Sequence, residues 1–285
     1  MNRRLRQREA VNLTLLRLAA LLLLAVLAFM LYWVVSRGVG VISRSFIFDA
    51  PRERMTAGGI WPAIVGTTYV SLGTLLISMP VGIATAIYLN EYAQEGTWNR
   101  IIRLAIRNLA GVPSIVYGLF GLGVFAALLR LGTSLAAASL TLSLMTLPWI
   151  VTAAEEALRS VPQSFREGSF ALGATRWQTI RHQVLPYALP GMATGSILGL
   201  ARAAGETAPI LLTGAAYFLP RLPSSPLDQF MALPYHLYIL ATQHSSLTQV
   251  RPLAYGTALV LLALVMLLNA LVIIVRSRAR AKKTW

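Results

Sequence analysis

The chain contains no cysteine, which removes disulfides, iron–sulfur clusters and cysteinyl zinc sites from its possible chemistry. It has only two lysines, Lys282 and Lys283, both at the C-terminal end. A phosphate-binding P-loop needs a lysine behind a glycine-rich turn, GxxxxGK[ST], so no nucleotide site of that kind is encoded. Charge is scarce as well. Charged residues make up 12% of the sequence, against about a quarter in soluble domains. The three histidines, His182, His236 and His244, lack metal-ligand spacing, and no nucleophile stands with a base in a hydrolytic pattern. Neither a metal site nor a catalytic centre is expected.

What the chain has instead is apolar length. Hydrophobic residues are 56% of the total and the mean hydropathy is +0.64. A membrane-crossing helix needs roughly 20 predominantly apolar residues. Trp61–Leu89, Asn108–Leu129, Leu131–Ala154, Gln183–Ala201 and Pro252–Val275 meet that requirement, and Leu18–Ser36, behind Arg17, is slightly shorter. Backbone groups in hydrocarbon must be satisfied within the segment, and the alternation of a membrane β-barrel is absent. These stretches predict an all-α integral membrane protein with six transmembrane helices. The first apolar run is too long for a signal-peptide core and no clear cleavage site follows it, so it is expected to remain as an anchor.

The formal net charge of +15 would suit nucleic acid, but its distribution points to lipid. Arg3, Arg4, Arg6 and Arg8 precede the first span, and Arg276, Arg278, Arg280, Lys282 and Lys283 follow the last. Arg100, Arg103 and Arg107 lie between the second and third spans, and Arg159, Arg166, Arg176 and Arg181 between the fourth and fifth. The positive-inside rule then places both termini in the cytoplasm, with the basic ends anchored on anionic headgroups. No nucleic-acid partner is expected.

The connections divide the chain into 1–57 (tail, first span, external loop), a core of 58–276 and a basic tail, 277–285. Residues 37–60 read as an external loop and 90–103 as a polar cytoplasmic joint. Arg130–Thr133 reads as a tight hairpin. Residues 214–251 form the longest external loop, broken by Pro220, Pro223, Pro226 and Pro234.

Residues 155–186 are long enough to hold structure beneath the membrane. Ser164–Leu172 has helical character, and Gly173 stands where a helix must stop. Ala174–Val184 then offers Trp177, Ile180 and Val184 on one face, with Pro186 and Pro190 ending that second helix. Such a helix pair could dock into a groove on a soluble partner or lie on the headgroups.

Within the fifth span, Arg202 and Glu206 stand at i and i+4, on one helix face. The same spacing adds Gly191, Gly195, Gly199, Pro209 and Thr213, a stripe of small and polar residues, with Ile197, Leu200, Ala204, Ala208 and Leu211 opposite. An intramembrane arginine costs about 2.5–3.5 kcal/mol to insert. Its planar fork suits an oxyanion, and Glu206 would orient it. Phosphate, sulfate and molybdate satisfy this chemistry equally. Pro113, Ser114, Tyr117 and Gly121 on the third span fit either a pore lining or helix packing.

Glu167-Gly168-Ser169, three residues, Gly173, then nine residues and Gln183 before Leu185-Pro186 resembles the EAA motif of ABC importer permeases. Gly168-Ser169 replaces the usual Ala-Ala, and Gln183 stands where Ile is common. Pro80–Ala93, Leu109–Leu122, Leu185–Pro209, Met231–Ala241 and Gly58–Tyr69 resemble the PstA-type phosphate permeases of such importers. The likeness runs from about residue 58 to the end of the sixth span. It implies a type I ABC importer permease-like fold in the bacterial cytoplasmic (inner) membrane. It also implies a coupling helix in which Glu167, Gly173 and Trp177 serve ATPase docking, and a phosphate route through Arg202 and Glu206. The implied partners are a PstC-like permease, a PstB-like ATPase dimer and an external phosphate-binding protein. ATP and Mg would be held by the ATPase, leaving this chain without a cofactor. An ion-coupled secondary anion carrier is the alternative.

The orientation can be read with single cysteines in this cysteine-free chain. An impermeant thiol reagent applied to intact cells should label Ser225→Cys and leave Ser277→Cys untouched; labelling of Ser277→Cys from outside reverses the topology.

Overall fold

The computed structural model describes residues 3–94 and 96–281, and there the apolar blocks become long helices. Helix α1 spans Arg3–Gly38 and α2 Arg44–Phe48. A two-residue hairpin, β1 (Pro51–Arg52) antiparallel to β2 (Ala57–Gly58), follows. Helix α3 (Trp61–Ile87) continues through a π-helical turn, Tyr88–Tyr92. Helix α4 (Thr97–Ala110) precedes α5 (Ser114–Gly121), which runs on as π-helical Leu122–Leu128. Next come α6 (Leu135–Arg159), α7 (Gln163–Ala171) and α8 (Arg176–Thr179). The π-helical turn Ile180–Val184 joins α8 to α9 (Leu185–Gly205). Helices α10 (Ala208–Thr213), α11 (Leu233–Thr242) and α12 (Leu247–Ala281) complete the chain.

Among the described residues, five stretches are long and apolar enough to cross a membrane: Asn12–Val41, Trp61–Tyr92, Leu135–Arg159, Arg176–Gly205 and Leu247–Leu271. The α4–α5 pair makes the sixth if it counts as one span. The chain is therefore an all-α membrane protein of up to six spans.

Four details differ from the sequence reading. Asn108–Leu129 is not one helix: α4 and α5 meet at a bend of 103°. Pro113 has no N–H to continue the ladder, and Gly111 precedes it. Consequently most of the expected polar joint at 90–103 is helical, from Thr97 onward. Secondly, Pro186 and Pro190 do not end the helix of 174–184, which runs into the fifth span. The π-helical turn shifts the ladder so that Leu185 donates to Ile180, and Pro186 follows where the ladder has already been rearranged. Thirdly, the helix carrying Arg202 stops at Gly205, and Glu206 is extended (φ −74°, ψ 136°). Pro209 cannot donate to the Gly205 carbonyl, and the chain restarts as α10. Fourthly, the 214–251 loop contains α11, whose buried residues include Leu233, His236 and Ile239.

Small residues set the packing. Lipid supplies no hydrophobic drive for helix association, so close van der Waals approach and hydroxyl bonding must replace it. Helix α6 lies between α3 and α9. On one side a Cβ at Gly73 would stand 2.7 Å from Ser139 Oγ, and one at Gly82 2.7 Å from Ile150. On the other, a Cβ at Gly191 would stand 2.7 Å from Ala157, and Gly195 and Gly199 face Ala153 and Ile150. The glycine stripe of the fifth span is thus a helix-packing seam. Ser143 Oγ donates to Ser139 O of its own helix (2.6 Å) and lies 3.1 Å from Thr74 O of α3. The opposite residues, Leu200 and Ala204, pack on Leu268 of α12. Helix α1 touches the bundle mainly through α12, where Gly38 presses on Tyr255 and Leu259.

At the far end α11 closes over the bundle. Leu233 N–H donates to Thr67 Oγ1 (2.8 Å), and Phe230 and Met231 are buried beside it. Burial, with His244 nearby, lowers the His236 pKa to about 4 and keeps the ring neutral. His244 accepts from Ser246 N–H at Nδ1 (3.1 Å), so Nε2 carries the proton donated to Arg54 O (2.8 Å).

Candidate functional site

Two charged groupings stand out in the fold, one inside the fifth span and one at the end where α3 and α6 finish and α9 begins. The first is Arg202 with Glu206. Their Nε–Oε1 separation is 3.4 Å, and the side chains are 43% and 16% exposed. Because the helix ends at Gly205, the carboxylate reaches back from extended backbone rather than from the next helical turn. The guanidinium also lies over Trp149 of α6, 5.3 Å from its ring centroid. Stacking of that kind leaves the N–H edges of an arginine free to bind. Leu198 and Gly205 are exposed on the same side of α9, so Arg202 faces outward from this single chain.

Of the third-span candidates, Tyr117 and Gly121 are packing residues. Tyr117 is buried and its hydroxyl donates to Leu109 O (2.8 Å), a carbonyl at the bend that also accepts from Val112 N–H (3.1 Å). Gly121 meets Thr141 and Thr213 where a side chain would overlap them. Pro113 is exposed and Ser114 half-buried at the start of α5.

The second grouping is the α7–α8 knuckle. Ala174 N–H donates to Ser169 O (3.2 Å) and Gly173 N–H to Phe170 O (2.9 Å). Those bonds, with Gly173 at φ +80°, are a Schellman ending, which glycine adopts without a Cβ clash. Thr175 then caps α8 in a capping box with Gln178. Ser169 Oγ and Thr179 Oγ1, 2.9 Å apart, pin the two helices together. The tip is apolar and bare. Leu172 is 90% exposed and Trp177 52%, with Phe170 also exposed; Glu167 is exposed on α7.

What holds this knuckle to the bundle is a buried ion pair. Arg166 meets Glu91 through Nη2–Oε1 at 2.7 Å and Nε–Oε2 at 3.3 Å. The two side chains are only 11% and 8% exposed. The same guanidinium donates to Val161 O (2.9 Å) and adds a donor to Leu158 O (3.1 Å), which already accepts from Val161 N–H where α6 ends. Arg176 stacks over Tyr92 at 5.3 Å and Phe165 against Tyr187 at 5.6 Å. Arg103 Nη2 of α4 donates to Leu89 O at 2.7 Å and lies 3.3 Å from Glu155 Oε1. Both bonded carboxylates and both arginines therefore converge on the π-helical turn at the end of α3.

Sequence reasoning had no hold on Glu91, Arg166, Leu172 or Trp149. A signal was present for Glu91, the first charge after an uncharged run from Met55. Trp149 likewise sits deep in an apolar block, away from its ends.

Comparison with known proteins fits this arrangement. Residues 78–281 match the family described as binding-protein-dependent transport system inner membrane component. The chain is 32% identical over 281 residues to the "Probable ABC transporter permease protein YqgI" of Bacillus subtilis strain 168, covering 94% of each. It is 35% identical over 268 residues to "Phosphate transport system permease protein PstA 1" of Mycobacterium tuberculosis strain CDC 1551, covering 90% of this chain and 84% of the relative. The fold resembles a subunit of a bacterial ABC transporter that imports alginate, with a TM-score of 0.62 at 16% identity, covering 93% of this chain and 98% of that one. It also resembles the inward-facing MetNI methionine ABC transporter, with a TM-score of 0.56 at 22% identity, covering 79% and 95%.

The buried pair makes a direct prediction. Glu91→Gln should destabilise the protein by about 3–5 kcal/mol, because the Arg166 charge stays buried without its counterion. Glu91→Leu with Arg166→Met should recover most of that loss. Thermal unfolding in detergent gives the stabilities, and hydrogen exchange across 163–184 shows whether the knuckle loosens. A Glu91→Gln protein as stable and as protected as the parent removes the pair from its anchoring role.

Proposed function

Since the chain belongs to the family of binding-protein-dependent transport system inner membrane components, matched over residues 78–281, we propose that it is the membrane-spanning permease subunit of an ATP-driven importer of inorganic phosphate. The assignment of phosphate is supported by the phosphate-permease relatives; the site's chemistry alone would accept other oxyanions.

The observation that carries the mechanism is the half-exposed Arg202, held between Trp149 and Glu206 on an outward-facing side of α9. A homologous PstC-like permease subunit would close that side and make a pore between the two chains. An oxyanion passing Arg202 gains two parallel charge-assisted hydrogen bonds from the guanidinium fork. Glu206 shares the positive charge and keeps the anion from binding too tightly to leave. Trp149 fixes the plane of the fork.

Energy enters at the α7–α8 knuckle on the cytoplasmic side. The bare Leu172, flanked by Phe170 and Trp177, fits a hydrophobic groove of a PstB-like ATPase, with Glu167 supplying a polar rim contact. Gly173 gives the tip its turn. ATP and Mg belong to that ATPase dimer, and an external phosphate-binding protein delivers the anion. Motion of the knuckle reaches α3 through Arg166–Glu91 and α4 through Arg103.

The docking half of this reading predicts that Leu172→Asp, a fully exposed substitution that leaves the fold untouched, lowers ATPase retention in co-purification at least tenfold, as loss of a central apolar anchor of about 2 kcal/mol does. Gly173→Ala should act through the turn alone, since a Cβ there meets nothing within 4 Å but the left-handed conformation (φ +80°) costs about 1–2 kcal/mol. Full retention on Leu172→Asp places the ATPase elsewhere.

The pathway half predicts that Arg202→Gln reduces phosphate uptake about 10- to 100-fold in an assembled complex, the equivalent of one charged hydrogen-bonding contact. Arg202→Lys should recover only part of it, because an ammonium lacks the fork. Uptake and complex yield are then measured for Arg202→Gln/Glu206→Gln. Uptake restored in that double variant shows that the pair serves only packing.

A further inference from the structure

Apart from Arg103, the residues of helix α4 take no part in the transport route or the knuckle. It carries Trp98, Ile101, Ile102 and Leu109 exposed, while Arg100, Arg103 and Arg107 stand on its other side, three and four residues apart. Its axis is turned 103° from that of α5 and its π-helical continuation to Leu128, so with that stretch upright α4 is not part of the crossing. A helix at that angle to a span lies close to the bilayer plane. Trp98 is 79% exposed, and no residue of α4 is fully buried, Ile106 alone among its large apolar residues packing on the bundle. Amphipathic helices of this composition place the apolar side among acyl chains and the cationic side at phosphate level.

The cationic side borders an open cavity of about 990 Å³ between the end of α3, the joint after it and α4. Asn90, Thr97, Arg100, Arg103, Arg107 and Arg159 are among its walls. Arg103 is committed to Leu89 O and Glu155. The side chains of Arg100, Arg107 and Arg159 make no hydrogen bond or ion pair among the described residues. Three guanidiniums around one polar hollow attract a phosphate group, although Glu155 and Glu156 stand beside Arg107 and Arg159 in the adjoining cavity. The exposed apolar stripe on the same helix calls for a ligand that also has acyl chains.

We propose that α4 and this cavity form a binding site for an anionic phospholipid, with the headgroup phosphodiester held by Arg100, Arg107 and Arg159 and the chains lying along Trp98, Ile102 and Leu109. The site is independent of the transported ion, since none of its residues belongs to the α9–α10 break. Because Arg103 ties α4 to the end of α3, a lipid seated there also fixes the helix that enters α5.

The test uses the full chain co-purified with its partner subunits in nanodiscs of phosphatidylcholine containing one-fifth phosphatidylglycerol. Native mass spectrometry should show phosphatidylglycerol retained in preference to phosphatidylcholine. With about 1 kcal/mol of attraction for each arginine near the surface, Arg100→Gln/Arg107→Gln should lower that preference about 20- to 30-fold. Arg44→Gln/Arg52→Gln, a charge-matched control in the loop before α3, should leave it unchanged. Fluorescence provides a second reading on the unaltered cavity: brominated-chain phosphatidylglycerol should quench Trp98 more than brominated phosphatidylcholine, taken as the difference from Trp98→Phe. Equal retention in the cavity variant, equal quenching by the two lipids, or displacement of phosphatidylglycerol by millimolar inorganic phosphate would each overturn the proposal, the last by making the hollow a site for the free ion.

Discussion

In hydrocarbon a backbone carbonyl has almost no donor to turn to but the N–H one helical turn further on. An interruption of a spanning helix therefore leaves carbonyls in need of donors, and at three of the interruptions here side chains supply them. Arg103 donates to Leu89 O at the end of α3 and Arg166 to Val161 O at the end of α6, while Tyr117 and Arg166 add side-chain donors to Leu109 O and Leu158 O, which also accept from Val112 and Val161 N–H. Two of the three closing groups are arginines with a carboxylate beside them. The geometry of the polar end of the bundle follows from this one requirement.

The consequence is a mechanical division. Helices α3, α6 and α9 are locked by glycine and hydroxyl contacts that leave little room for sliding, since a single methyl at Gly73, Gly82 or Gly191 already collides. The α7–α8 knuckle is itself rigid, with a Schellman ending, a capping box and the Ser169–Thr179 contact. Between these two rigid parts stand Arg166–Glu91 and the stacked rings of Tyr92 and Tyr187. A push on the knuckle is therefore delivered to the π-helical turn at the end of α3, where the ladder is already rearranged and a change of hydrogen-bond register is least costly. The break after Gly205 gives the intramembrane arginine a similar setting: its carboxylate partner hangs on extended backbone and can move without unwinding a helix.

Much of this was legible in the sequence. Apolar length dictates helices because backbone groups have no other solution in lipid, and the blocks at 61–89, 131–154 and 252–275 lie where α3, α6 and α12 formed. Gly173 marked its turn, since the left-handed conformation there selects glycine. Arg202 and Glu206 were conspicuous because intramembrane charge is rare and costly. Less legible was where a span stops being one helix. Pro113 bends the chain by 103° while Pro186, preceded by a π-helical turn, lets it run on. The same residue type has opposite outcomes because neighbouring carbonyls are satisfied in different ways.

The sequence by itself determined that this chain lives in lipid, how often it can cross, and which residue types face chemistry there. Those follow from local composition, which hydrocarbon judges residue by residue. Only the tertiary structure decided which charges meet. Glu91 and Arg166 are 75 residues apart, and Arg202 meets Trp149 from a different helix. The glycines of the fifth span became a seam with α6 rather than an open face. Partner choice of this kind depends on the rotation and crossing of whole helices, which is set by the sum of many small contacts and cannot be read from spacing within one of them.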